Sequence, residues 1–365
     1  MNTGLLTVTH EQAVMKDEAG YGIIASFGDV MKEYAAIRSS VGIFDMSTHG
    51  KFRVSGDEHV AWVSKMVSRD IEFLNSETEI FALCLDEEAK LLGIVTLYKY
   101  DDAIVIETET TDRKRLTEWF EQHREEGVEI EDISDEYALI GLEGPLAFKV
   151  AQTLLDYEIS SIPFQGFVEV ERDGATLLLA RTGYTGEYGY KVFVPASVAG
   201  EVWHELYAKT QELGGTQCGS EALEITMLEV RQPIGHIEAR EIPVLEAGLG
   251  WLIDFGKMDA YIGQEAINEQ AAQPVERRMI GFIVEKQAQI EAGDAIVLDD
   301  QVIGRVVTAC YSPTLDAILG LALNNEPFTV PGLTWTVRTA EGTEYAAESA
   351  SSPYIVPRSW KVKML

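Results

Sequence analysis

Residues 181–194 read RTGYTGEYGYKVFV, which sets one carboxylate, Glu187, among Tyr184, Tyr188 and Tyr190 and among Gly183, Gly186 and Gly189. Glycines let a backbone approach a flat ligand closely. Tyrosines offer stacking faces with polar tips. A carboxylate can accept two parallel N–H bonds from a ring that carries an amino group beside a ring nitrogen, as in pterins and guanines. The same residues also suit a glycine-rich bend between two strands with Glu187 in water. The stretch by itself leaves both readings open.

The elements around it can be read from periodicity. Residues 29–40 and 57–67 have helical spacing, and GIFDMSTHGKFRVSG between them alternates as a strand. Residues 80–108 read as three consecutive strands with turns at Asp86–Ala89 and Asp101-Asp102, followed by a helix over 112–123. REEGVEIEDISDEY is an acidic surface segment, 137–143 a strand and 144–155 a helix. Residues 167–180 form a hairpin turning at Asp173-Gly174. Helices follow over 197–213 and 221–230, and AAQPVERR is a linker. From Met279 onward, short strands and turns predict a small all-β barrel or sandwich. The expected architecture is α+β, with two α+β subdomains over 1–270 and a β-barrel domain over 279–365.

Of 365 residues, 60 are acidic and 29 basic, a formal net charge of −31. That balance argues against nucleic-acid backbones and anionic membranes as partners. Cys84, Cys218 and Cys310 are far apart, which fits buried thiols in a reducing, cytoplasmic setting. The six histidines, His10 among them, form no metal-ligand pattern. The N-terminus lacks the features of a signal peptide, and no apolar run approaches membrane-spanning length. There is no P-loop, no strand-linked GxGxxG, no GxSxG and no kinase signature.

RTGYTGEYGY closely resembles the signature of the aminomethyltransferase (T-protein) family of the glycine cleavage system. Four further blocks match in order. VMKEYAAIRSSVGIFDMSTHGKFRVSG carries the family's elements at Phe44, Asp45, Ser47, Gly50 and Lys51. YALIGLEGPLA, VLEAGLGWLIDFGKMDAYIGQEAI and IGRVVTACYSPTLDAILGLA follow, so the resemblance spans residues 20–350. It implies three subdomains in a cloverleaf around a central cavity, with tetrahydrofolate as cofactor and its pterin buried there. It also implies that Glu187 reads the pterin edge, with Tyr184 and Tyr188 as stacking partners.

Against that pattern, the family's Asp-Asp pair falls on Gly93 and Ile94, and its helix arginine on Met227. The N-A-(A/S)-N element becomes Glu107-Thr108-Glu109-Thr110. Glu107, Glu109, His49 and His236 are the candidates to replace the lost acid, Glu107 and Glu109 also as cofactor contacts, with Tyr98 as an acid toward a leaving oxygen. Gly93 and Ile94 would leave the chamber roomier and more apolar, which suits a neutral small-molecule methyl donor. The expected function is methyl transfer from a small methylated donor to tetrahydrofolate, with a lipoylated carrier protein unfavoured because it too is acidic. The alternatives are an aminomethyltransferase with a relocated acid and a non-catalytic folate-binding protein. The iron–sulfur-assembly relatives carry a K-G-C-Y motif, and here Ala260 stands in place of its cysteine.

Overall fold

The computed structural model describes residues 2–4, 6, 12–172 and 174–364. His10 and Asp173, the latter from the expected hairpin turn, lie outside these. Two sheets form the larger part. A five-stranded antiparallel sheet runs in the order Thr78–Leu85, Leu91–Lys99, Ala103–Thr108, Gly50–Ser55, Glu129–Asp132. A six-stranded sheet runs Phe167–Arg172, Ala175–Ala180, Gly189–Pro195, Tyr137–Glu143, Gly42–Asp45, Thr216–Gln217, and only its last pair is parallel.

Alternation along each strand sorts side chains by face. In the five-stranded sheet, Ala82, Val95, Leu97, Ile104 and Ile106 pack with Trp62 and Phe120 of the helices His59–Met66 and Thr110–Gln122. The residues between them turn the other way. Cross-strand pairing of Glu79 with Tyr98, and of Thr96 with Phe81 and Glu107, puts these five on one face. That face meets Phe44, Leu139 and Phe193 of the six-stranded sheet in a shared core. The far side of the six-stranded sheet packs Tyr190, Val192 and Val194 against Trp203 of the helix Ala199–Glu212.

The expected C-terminal barrel is present as a closed six-stranded antiparallel barrel spanning Arg277–Ala350. Leu319 and Leu321 of the barrel share a core with Leu83 and Leu85. Glu229 of the helix Ser220–Val230 accepts hydrogen bonds from Tyr34 (2.6 Å) and from barrel residue Ser312 (2.5 Å), pinning the units together. The last turn, Arg358–Lys361, brings the chain back to the six-stranded sheet.

Some expectations shift. The acidic segment contributes the edge strand Glu129–Asp132, because Ile130 packs inward while its acidic neighbours face water. The helix expected over 144–155 is the shorter Ala147–Ala151 plus a 3-10 turn. A hairpin of Val14–Glu18 and Tyr21–Ser26 was not anticipated, and it turns through left-handed Ala19 and Gly20.

Candidate active site

Between the two sheets lies a buried ionic cluster. Glu107, at the end of its strand, accepts hydrogen bonds from Tyr98 Oη (2.7 Å), from Lys191 Nζ (2.7 and 2.8 Å) and from His49 Nδ1 (2.9 Å). Burial alone would push this carboxyl up. The Lys191 ammonium and the His49 hydrogen bond outweigh burial and hold it well below the carboxylate range. An ionised carboxylate can only accept, so His49 carries its proton on Nδ1. Its Nε2 has no hydrogen-bond partner among the described residues. Lys51 donates to the carbonyls of Ser47 (2.9 Å) and His49 (3.1 Å), which fixes the turn that carries the imidazole. Burial brings the Lys51 amine down to about 7.

His49 opens onto a cleft of about 100 Å³, lined by Glu18, Glu109, Glu224, His236, Phe44 and Met227 among others. His236 lies between carboxylates, with Nδ1 at 3.3 Å from Glu109 and Nε2 at 4.0 Å from Glu18. Burial works against its charge, but Glu109 and Glu18 prevail and raise its pKa.

Tyr184 closes one side of this cleft. Its hydroxyl accepts from Lys191 Nζ at 2.6 Å, and its ring lies 4.3 Å from the same ammonium. Behind it, Glu143 accepts the Tyr184 amide (2.8 Å) and the Thr185 hydroxyl (2.7 Å). Burial pushes the Glu143 carboxyl up to about 7. The opposite side of Tyr184 faces a groove of about 450 Å³ lined by Phe164, Arg181, Tyr188, Gln232 and Trp360. A third cavity, about 10 Å³, joins Tyr184 to Ile94, Glu107, Glu109 and Gln232. Tyr184 thus lines all three spaces.

The GCVT N-terminal domain matches residues 6–257, and the glycine cleavage T-protein C-terminal barrel domain matches residues 277–355. The chain belongs to the glycine cleavage T-protein family. It is 30% identical over 315 residues to an aminomethyltransferase of Anoxybacillus flavithermus, covering 86% of each chain. An aminomethyltransferase of Halalkalibacterium halodurans is 29% identical over 310 residues, covering 84% of this chain and 85% of its own. The crystal structure of glycine cleavage system aminomethyltransferase T from Bartonella henselae superposes with a TM-score of 0.88 over 98% of both chains at 20% identity, a shared fold. The protein is an enzyme of the aminomethyltransferase type.

Within this T-protein fold the expected site residues divide. His49, Glu107, Glu109, His236 and Tyr184 come together around the cleft. Glu107 and Glu109 turn inward rather than to solvent, and Ile94 sits beside them.

Three expectations need correction. Glu187 is not free to read a ligand edge. Its carboxylate accepts the amides of Arg358 (3.0 Å) and Ser359 (2.8 Å) and the Ser359 hydroxyl (2.6 Å), with Arg38 at 3.4 Å. The two parallel N–H bonds expected of a pterin come from the chain's own tail. Tyr188 is bound to the same tail, its hydroxyl on the Val362 carbonyl (2.5 Å) and its amide on Ser359 (2.8 Å). The glycines answer to these contacts. Gly186 has φ +73°, and a Cβ there would stand 2.9 Å from Pro357, while one at Gly189 would stand 2.5 Å from the Gly183 Cα.

Tyr98 is the second correction. It is fully buried, its hydroxyl is spent on Glu107, and it lines none of the three spaces around Tyr184. It organises Glu107 and reaches no leaving group. The third is Gly93, which enlarges no chamber. Its missing Cβ lets the helix Thr110–Gln122 approach, since a methyl there would stand 2.9 Å from Leu116.

Lys191 and Glu143 were missed by sequence reasoning, and Lys51 was singled out only as part of a family block. Lys191 did carry a signal, as a lone cation inside the apolar strand YKVFV. Only the opposing sheet reveals its partner.

Proposed function

We propose that the chain transfers a methyl group from a small methylated donor, bound in the acid-lined cleft, to tetrahydrofolate. The observation that carries this reading is the pairing of His49 with Glu107 at the wall of that cleft. Tyr184 is shared between the cleft and the glycine-lined groove. Family membership supplies the expectation of tetrahydrofolate, whose ring nitrogen would accept the one-carbon unit.

The groove suits that cosubstrate in volume and lining: it is within the range of ring-binding sites, with aromatic walls and Arg181 for a carboxylate. Tyr184, Gln232 and Arg181 would hold it, beside Glu187, which lines the same groove while its carboxylate is tied to the tail. Loss of a proton from the accepting nitrogen requires a base in reach, and His49 in its neutral form, with Nδ1 held by Glu107, would offer Nε2 on the cleft wall. Glu107 fixes the tautomer and stabilises the imidazolium that results. Lys191 keeps Glu107 ionised, and the buried Tyr98 hydroxyl holds it in place.

A second reading, aminomethyl transfer with a relocated acid, is favoured by the inward-facing Glu107 and Glu109 beside Ile94. The two readings part in one assay series. Purified protein with tetrahydrofolate is tested against O-, S- and N-methyl donors, and separately against lipoylated carrier protein with ammonia. Methylated folate from a small donor supports the first reading. Ammonia-dependent turnover with the carrier and none with small donors replaces it with the second.

A further inference from the structure

We propose that residues 355–364 form a strap that closes one wall of the groove beside Tyr184, and that Glu187 acts on a ligand there only by latching this strap. The inference rests on reading the groove as the tetrahydrofolate site. Three observations carry it.

The first is how the strap is fixed. Tyr354 anchors the chain just before it, with its amide on the Glu229 carbonyl (2.8 Å) and its hydroxyl on the Gly320 carbonyl (2.6 Å). Beyond that anchor Val356, Arg358, Trp360, Lys361 and Lys363 are exposed. Inward polar contacts gather at one place. Glu187 takes the Arg358 and Ser359 amides and the Ser359 hydroxyl, and the Tyr188 amide donates to Ser359 Oγ. A segment with an exposed backbone and few buried contacts opens as a local unit, at less cost than the core.

The second is the seat. A Cβ at Gly186 would stand 2.9 Å from Pro357, so the glycine lets the strap lie against the body. The latch also has a partner for its open state. Glu187 keeps Arg38 at 3.4 Å, so lifting the strap leaves no unpaired buried charge.

The third is that the strap is part of the groove. Pro357, Ser359 and Trp360 line it together with Arg181, Tyr184 and Gln232 of the body. Trp360 is 73% exposed and Phe164, also on the groove, 71%. Large apolar rings left uncovered along a groove mark a surface that a ligand covers. A flat ring held against Trp360 meets it only while the strap is latched. Ligand and latch then favour each other by the same factor. Direct reading of the ligand by Glu187 would do the opposite, because the ligand edge must expel the Arg358 and Ser359 amides.

The test uses tetrahydrofolate as the probe, titrated by calorimetry into the full chain and into a chain ending at Ile355. The shortened chain is expected to bind about tenfold more weakly. Glu187→Gln should weaken binding in the full chain and have no further effect in the shortened one. Saturating tetrahydrofolate should slow trypsin cleavage at Arg358 and Lys361 of the full chain by about tenfold. If the shortened chain proves poorly folded, Ser359→Ala, which removes the latching hydroxyl, should weaken binding and speed cleavage. Equal or tighter binding by the shortened chain overturns the proposal. So does faster cleavage with ligand, or a Glu187→Gln loss that persists without the strap. These outcomes leave tetrahydrofolate as the groove's ligand. No binding to the full chain removes that reading and the strap's role with it.

Discussion

Lys191 and Glu107 form an ion pair at 2.7 Å across the two sheets, each side chain only 1% exposed. Removing one partner leaves the other as an uncompensated buried charge, which typically costs about 3–5 kcal/mol. Lys191→Met is therefore expected to lower unfolding free energy by about that amount in urea titration. The double variant with Glu107→Gln should recover part of the loss, because no lone charge then remains. If Lys191→Met were as stable as the parent, the pair would not be organising the core.

The imidazole of His49 is where proton handling should fail first. His49→Gln keeps a hydrogen-bonding side chain but removes the basic nitrogen. Positioned general bases typically contribute about 10²–10⁴-fold, so turnover should fall by at least ~100-fold with little change in donor affinity. Steady-state kinetics separate the two parameters. A loss confined to KM would mean that His49 binds and does not act as a base.

Burial pushes the Glu79 carboxyl up to about 7 from its ordinary 4.5, outweighing the opposite pull of Lys191, Thr182 and Gln165. The folded state thus holds this proton more tightly than the unfolded chain. The stability it supplies is complete below pH 4.5 and disappears as pH rises through 7. A displacement of that size corresponds to about 3 kcal/mol. Unfolding of the parent and Glu79→Gln at pH 5 and pH 8 should show the variant gaining on the order of 3 kcal/mol relative to the parent at the higher pH. Parallel behaviour at both values would mean that Glu79 is solvated.

Glu187 holds the tail by three hydrogen bonds from Arg358 and Ser359. Bonds to a charged acceptor are worth about 1.5–3 kcal/mol each at most, and they are not additive. Glu187→Ala is expected to destabilise the protein by about 2 kcal/mol and to speed trypsin cleavage at Arg358 and Lys361. Unchanged cleavage would show that Val362 and Met364 hold the tail without it.

Much of the fold could be read from the sequence, because hydrophobic alternation reports which face of a strand is buried. The strands Thr78–Leu85, Leu91–Lys99 and Ala103–Thr108 and the barrel follow from that rule. His49, Glu107 and Glu109 stood out as polar groups at positions where the family pattern changes. What escaped was long-range partnership. The use of Glu187 is decided by residues 171 and 172 positions away, and the fate of Lys191 by a strand on the other sheet. Gly93 was misread for a local reason. Neighbouring strand residues face opposite ways, so Gly93 and Ile94 could not both line one chamber.

The account turns on methyl transfer at the His49–Glu107 pair. The most direct measurement follows a carbon-13 methyl label from candidate donors onto tetrahydrofolate by NMR, in the parent protein and in His49→Gln. Labelled methyltetrahydrofolate is expected to accumulate with the parent and at least ~100-fold more slowly with the variant. Absence of label transfer from every donor, or equal rates in the two proteins, would contradict it.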